Sequence, residues 1–280
     1  MTRGPLLPLD RASLLAATLV AVSVNRLFAK MAESVAVIGW PEAALSLFGV
    51  SAVIWIALAV LIDLGGDGDG PPPNRLDWWL CGSALATCLL PIGWESALAL
   101  LGLSMVTIAR FGTGTIERRL AIVGLALTGP LLFAPLALAY LAPELLQVDA
   151  VLVSLLSGQQ ASGNVVEFAD PALRAAGQQM VIYSGCSSFH NISLVGVLFA
   201  VVTQLLHLRL TKGMWLLALA MAAATVAINC ARITAIALMP QHYEVLHEGW
   251  GGQLIGLVSL LAAGAIIFIG GLRRARRQHA

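Results

Sequence analysis

The chain has 280 residues, 59% hydrophobic and 11% charged, with a mean hydropathy of +0.87. Soluble domains carry about 25% charged residues, so this composition excludes a chain that covers itself with a water-facing surface. It predicts an all-α integral membrane protein, a single polytopic domain over residues 1–280. The net charge of +1 says nothing about partners, and no basic stripe suggests a nucleic-acid binder. Of the four cysteines, Cys81, Cys88 and Cys230 fall inside apolar segments and leave Cys186 near a predicted membrane edge, so no disulfide framework is expected.

A bilayer core about 30 Å thick takes roughly 17–25 apolar residues per helix. Eight segments meet that need: 12–29, 43–63, 76–92, 94–110, 119–141, 187–207, 213–239 and 250–272. Arg3 and Arg11 precede the first of them in the manner of a secretory signal, but no small-residue cleavage site follows, and it counts as a span. The third and fourth are separated at Pro91 and Gly93, because one helix over 78–109 would be about 48 Å long. With the N-terminus inside, 12 of the 16 Lys and Arg fall on the inner side, and only Arg26, Lys30 and Arg174 on the outer. Arg232 is left within a span. That bias predicts both termini in the cytoplasm. Arg26, beside Asn25 near the outer end of the first span, reads as an interfacial anchor.

Three segments are not spans. Residues 64–75, rich in Gly and Pro, read as an inner linker whose Asp67 and Asp69 lack the ligand spacing of a calcium loop. The tail 273–280, with four arginines in five positions, reads as an anchor on the anionic inner leaflet. The long outer segment 142–186 has apolar residues at helical spacing (Leu145, Val148, Leu152, Leu155, Leu156), which predicts a helix at the outer interface. Val165–Phe168 and Met180–Tyr183 flank a polar turn region and have the composition of a short β-hairpin. The second stretch leads into Cys186, so the segment reads as a lid or substrate cradle.

Eight spans place Cys186, Arg232 and His247 in the outer third of the membrane, although as many as 61 positions separate them. A cysteine between Gly185 and Ser187-Ser188 at a helix start would have its thiolate favoured by the helix dipole and free backbone N–H groups. The same groups would suit an oxyanion. An arginine within a span costs at least ~2.5 kcal/mol on insertion scales and normally marks a functional path or an interior partner. Asn229, three residues earlier, shares its face. His247 is one candidate base for the thiol. His190, at i+4 from Cys186, is another. No zinc motif is complete around His242, Glu244, His247 and Glu248.

At these residues the chain resembles the exosortase/archaeosortase family of membrane cysteine transpeptidases. The resemblance rests on Cys186-Ser187-Ser188, on Asn229-Cys230-Ala231-Arg232-Ile233 and on His247-Glu248-Gly249-Trp250-Gly251, and it covers about residues 145–270. The family usually has glycine where this chain has Ser188, and a serine there is expected to narrow the pocket. Histidine as third member fits the bacterial branch.

The resemblance implies an acyl-enzyme mechanism with Cys186, Arg232 and His247 as catalytic residues, supported by Asn229, Ser187, Ser188 and His190. It implies no cofactor and no metal. Its substrates would be exported proteins bearing a C-terminal sorting tag of the Pro-Glu-Pro (PEP-CTERM) type, transferred at the outer face of the bacterial inner membrane to a surface polysaccharide or lipid acceptor. The rival from another class is a non-enzymatic transporter or a scaffold for surface-polymer assembly, with Arg232 and Asn229 as a binding site. A transporter would need polar residues spread through several spans, and the second to fifth hold few.

Overall fold

The computed structural model describes residues 10–66, 70–90, 94–247 and 250–278. In chain order they form α1 (Arg11–Ile38), α2 (Trp40–Leu45), α3 (Ala52–Gly65), α4 (Arg75–Ala86), α5 (Trp94–Arg110), α6 (Ile116–Thr128), α7 (Ala134–Tyr140) and α8 (Ala142–Ser157). There follow β1 (Ala161–Ser162), β2 (Val165–Glu167), α9 (Pro171–Ala175), β3 (Gln179–Val181), α10 (Ser188–Leu205), α11 (Lys212–Leu238), α12 (Tyr243–His247) and α13 (Trp250–Gln278). The fold is all-α with one small sheet.

Five helices among the described residues are long and apolar enough to cross a membrane: Arg11–Ile38, Ile116–Tyr140, Ser188–Leu205, Lys212–Leu238 and Leu254–Gly271. The helix over Ile116–Tyr140 contains a five-residue π turn at Gly129–Phe133. Pro130 lies in that turn, where its missing N–H and its ring are accommodated by the wider winding.

The remaining apolar segments hold shorter helices. The expected span 43–63 is broken, because Leu47 and Phe48 take φ of 55° and end α2 in a turn before Ser51 caps α3. The expected span 76–92 is a 12-residue helix closed by a 3-10 turn at Thr87–Leu89. The break assigned to Pro91 and Gly93 lies outside the described residues, as do Asp67 and Asp69 of the linker. The expected end of the last span at Leu272 is not a helix end: α13 runs on through the arginines to Gln278.

The chain divides into two compact units, Met1–Phe133 with Ala200–His207, and Ala134–Phe199 with Leu208–Ala280. In the first unit α1 is packed against α3, α4, α5 and α6, which bury Leu14, Leu15, Leu19 and Val22. Asp10 caps α1 by accepting from Ser13 N–H (2.7 Å) and also accepts from Gly70 N–H (3.2 Å). Asp77, buried at the start of α4, takes Arg11 Nε at 2.7 Å and an Arg110 Nη at 3.0 Å. Two arginines counted as inner-side charges are thus tied to one carboxylate, the pairing a buried charge requires. Arg26 is not a simple anchor either: its Nε donates to Leu131 O (3.1 Å) and its guanidinium lies 4.5 Å from the Trp94 ring centroid.

In the second unit the segment 142–186 is structured throughout. β2 pairs antiparallel with both β1 and β3, with Val166 opposite Met180. The connection from β2 to β3 carries α9, capped by Asp170, where a simple turn was expected. Strand alternation turns Val166, Met180 and Ile182 inward onto Leu146, Ala150 and Val153 of α8 and onto Cys230, Ile233 and Ile236 of α11. Each large apolar side chain buried this way contributes roughly 1.5–3 kcal/mol. This core fixes the end of β3, and Cys186 follows five residues later.

Candidate active site

Past β3 the backbone closes a 3-10 turn at Ser184–Cys186, with Cys186 N–H donating to Tyr183 O (2.9 Å). Ser187 is extended and buried, and its Oγ accepts from Phe189 N–H (3.1 Å), so it caps α10. Asp149 of α8 reaches under the turn and accepts from Ser188 N–H at 3.0 Å. From α11, Asn229 donates its Nδ2 hydrogens to Cys186 O (2.8 Å) and Ser188 Oγ (3.0 Å). The junction between the cysteine turn and α10 is therefore held by side chains from two other helices, Asn229 on Cys186 O and Asp149 on Ser188 N–H.

Pro240–His242 ends the α11 region in a 3-10 turn, and α12 then carries Tyr243 and His247 one turn apart. The Tyr243 and His247 rings stack at 4.8 Å with planes 12° apart, which fixes the imidazole plane. His247 Nε2 lies 3.0 Å from Cys186 Sγ. A thiol within hydrogen-bond reach of an imidazole, itself oriented by a third group, is the arrangement of an activated nucleophile. Arg232, one turn beyond Asn229 on α11, lines the same cleft as these two. Its Nε is buried and has no hydrogen-bond partner among the described residues. A guanidinium N–H with unused hydrogen-bonding capacity favours an oxygen acceptor or an anion arriving in the cleft.

The cleft is lined by Met180–Tyr183 and by Cys186, Arg232, Ile233, Ile236, Tyr243 and His247. The structure thus brings Cys186, Arg232 and His247 to one cavity, with Asn229 directly behind the thiol.

Three expectations are corrected. His190 does not stand one helical turn from Cys186, because Cys186 belongs to the 3-10 turn and α10 begins only at Ser188. The nitrogen described against the thiol is that of His247. Nor do the first amides of α10 serve an oxyanion: those of Ser188 and Phe189 are taken by Asp149 and Ser187. Ser188, expected to narrow the pocket, does not line the cleft, and its hydroxyl faces Asn229.

Asp149 and Tyr243 were missed. Asp149 had a signal: a carboxylate on the face of α8 that also holds Leu146, Ala150 and Val153, all buried. Of the stripe picked out by apolar spacing, Val148, Leu155 and Leu156 are exposed, whereas Leu145 is half-buried and Leu152 packs against the core. Among the described residues no three His, Cys, Asp or Glu side chains are grouped to hold a metal ion. No family model, no curated protein and no solved structure matches the chain.

Proposed function

We propose that this protein is an exosortase-like membrane cysteine protease or transpeptidase. The observation that carries the reading is the 3.0 Å approach of Cys186 Sγ to His247 Nε2 across 61 positions of sequence, in a cleft that Arg232 also lines. An apolar chain has little structural use for a thiol, an imidazole and a guanidinium converging on a cavity beside an extended strand.

In this reading Cys186 sulfur attacks the scissile carbonyl carbon as His247 takes the thiol proton. Arg232 donates to the carbonyl oxygen as it becomes an oxyanion, a role that backbone amides fill in many acyl-transfer enzymes. The C–N bond breaks, His247 returns the proton to the departing amine, and the acyl group stays on sulfur as a thioester. An amine or hydroxyl acceptor, or water, then attacks the thioester and releases the thiol. The substrates are exported proteins with a C-terminal sorting tag of the PEP-CTERM type, and the acceptor is a surface polysaccharide or lipid. The eight-span topology, with both ends in the cytoplasm and the site at the outer face of the inner membrane, belongs to the same reading. It rests on the Lys and Arg bias.

The test is co-expression with a reporter ending in a tag motif, a membrane helix and a basic tail. Cys186→Ala is expected to stop processing while the variant accumulates in the membrane, and hydroxylamine is expected to release a reporter–enzyme thioester from the parent alone. Unchanged processing by Cys186→Ala would refute the assignment.

A further inference from the structure

β3 has an open edge, and that edge borders the cleft. Val166 stands opposite Met180, and Ile182 N–H donates to Asn164 O at 2.9 Å. In an antiparallel pair successive residues direct their N–H and C=O alternately toward and away from the partner strand. Met180 and Ile182 therefore spend their backbone groups on β2. Val181, between them, points its N–H and C=O the other way, where no third strand stands among the described residues. The Tyr183 carbonyl on that side is already used by Cys186 N–H. The edge is accessible: Val181 is 39% exposed and Tyr183 67%. Both residues line the same cavity as the thiol.

We propose that the open edge of β3 binds the substrate as an added strand, Val181 exchanging main-chain hydrogen bonds with an extended peptide whose scissile bond is thereby carried to Cys186. This deepens the proposed function and rests on it. An unpaired donor and acceptor on one extended residue are complementary to peptide backbone itself. The proposed occupant is accordingly an unstructured segment read through its main chain, with side chains on alternate positions facing the cleft. A three-residue edge offers few bonds, enough to set register and too few to retain product. The continuity from β3 through the 3-10 turn to Cys186 makes the register of the added strand the register of cleavage.

The experiment uses the full chain in detergent and synthetic tag peptides N-methylated at one amide at a time on the N-terminal side of the cleavage point. One hydrogen bond of ordinary net size corresponds to roughly fivefold in rate. Strand addition predicts a loss of about fivefold or more at the amide that meets the Val181 carbonyl, near-parent rates at both adjacent amides, and a weaker repeat two residues on. Val181→Pro, which deletes the outward N–H and leaves the pairing of Met180 and Ile182 intact, is expected to raise KM with little change in Cys186 alkylation by iodoacetamide. Val181→Ala, which keeps the outward N–H, is expected to raise KM less than Val181→Pro does. A methylation profile without alternation overturns the strand mode even if Val181→Pro proves unstable, and leaves the cysteine chemistry standing. Failure of the parent to cleave any tagged peptide would overturn the function and the strand mode together.

Discussion

Asn229→Ala isolates what the clamp behind the cysteine contributes. Asn229 is 4% exposed, and its amide donates at 2.8 Å to Cys186 O and at 3.0 Å to Ser188 Oγ. Alanine removes two hydrogen bonds of about 1 kcal/mol net each and leaves a carbonyl and a hydroxyl unsatisfied in a buried place, a further ~1 kcal/mol or more. A total of about 3 kcal/mol, spent on holding the 3-10 turn in register with His247, corresponds to roughly a 150-fold fall in rate. The assay is the initial rate of reporter processing, paired with the rate at which a membrane-impermeant maleimide modifies Cys186, located by peptide mass spectrometry. Both are expected to change, because a released turn alters thiol geometry as well as turnover. Ser188→Ala removes only one of the two bonds, so it is expected to cost about fivefold. Asn229→Asp, which puts an acceptor against the Cys186 carbonyl, is expected to be at least as damaging as alanine. The reasoning is refuted if Asn229→Ala processes within threefold of the parent. It is equally refuted if Ser188→Ala costs as much, since the effect would then lie in the start of α10 and not in the cysteine carbonyl.

Other outcomes follow from the same geometry. Asp149→Asn retains an oxygen acceptor for Ser188 N–H and is expected to fall within about fivefold of parent activity, whereas Asp149→Ala orphans that buried amide at roughly 1–3 kcal/mol. Thermal unfolding in detergent reads the difference. Tyr243→Ala removes the ring that fixes the His247 plane, and stacking of about 0.5–1.5 kcal/mol predicts a two- to tenfold fall in kcat. Cys186 alkylation at saturating reagent is the control for folding. Burial pushes the Asp10 carboxyl up, but hydrogen bonds from Ser13 and Gly70 outweigh it and hold the net value below the usual carboxylate range. The stabilisation from Asp10 is therefore complete above its unfolded pKa of about 3.9 and is lost as pH falls through the lowered folded value. Asp10→Asn is expected to flatten the acid limb of a melting-temperature profile below about pH 4 and to leave its slope near neutrality unchanged. A parallel displacement of the whole profile would remove the ionised form of Asp10 from the explanation.

How much was legible differs between fold and site. Composition and apolar run length alone give an all-α membrane chain, because an 18-residue apolar window leaves few alternatives. The break at Leu47–Phe48 was not legible, since it depends on two apolar residues adopting positive φ, which apolarity does not encode. The site was legible as chemistry. Arg232 stands out as a charge inside a span, and Asn229 follows from its helical phase. The geometry that joins them was not. His190 sits four positions after Cys186, and only the coordinates reveal that the helix between them starts two residues late. Asp149 was hidden for the converse reason: a search for the apolar stripe of α8 passes over a polar position among the buried residues beside it.

The 61-residue gap between Cys186 and His247 also sets an order in time. At a synthesis rate of about 5–20 residues per second, the thiol leaves the ribosome roughly 3 to 12 s before its imidazole. Asn229 and Arg232 follow the cysteine by 43 and 46 residues, so for most of that interval neither the clamp nor the guanidinium is in place. The nascent cysteine is an ordinary thiol until α12 docks, and a chain arrested anywhere before Tyr243 carries the nucleophile without the means to activate it.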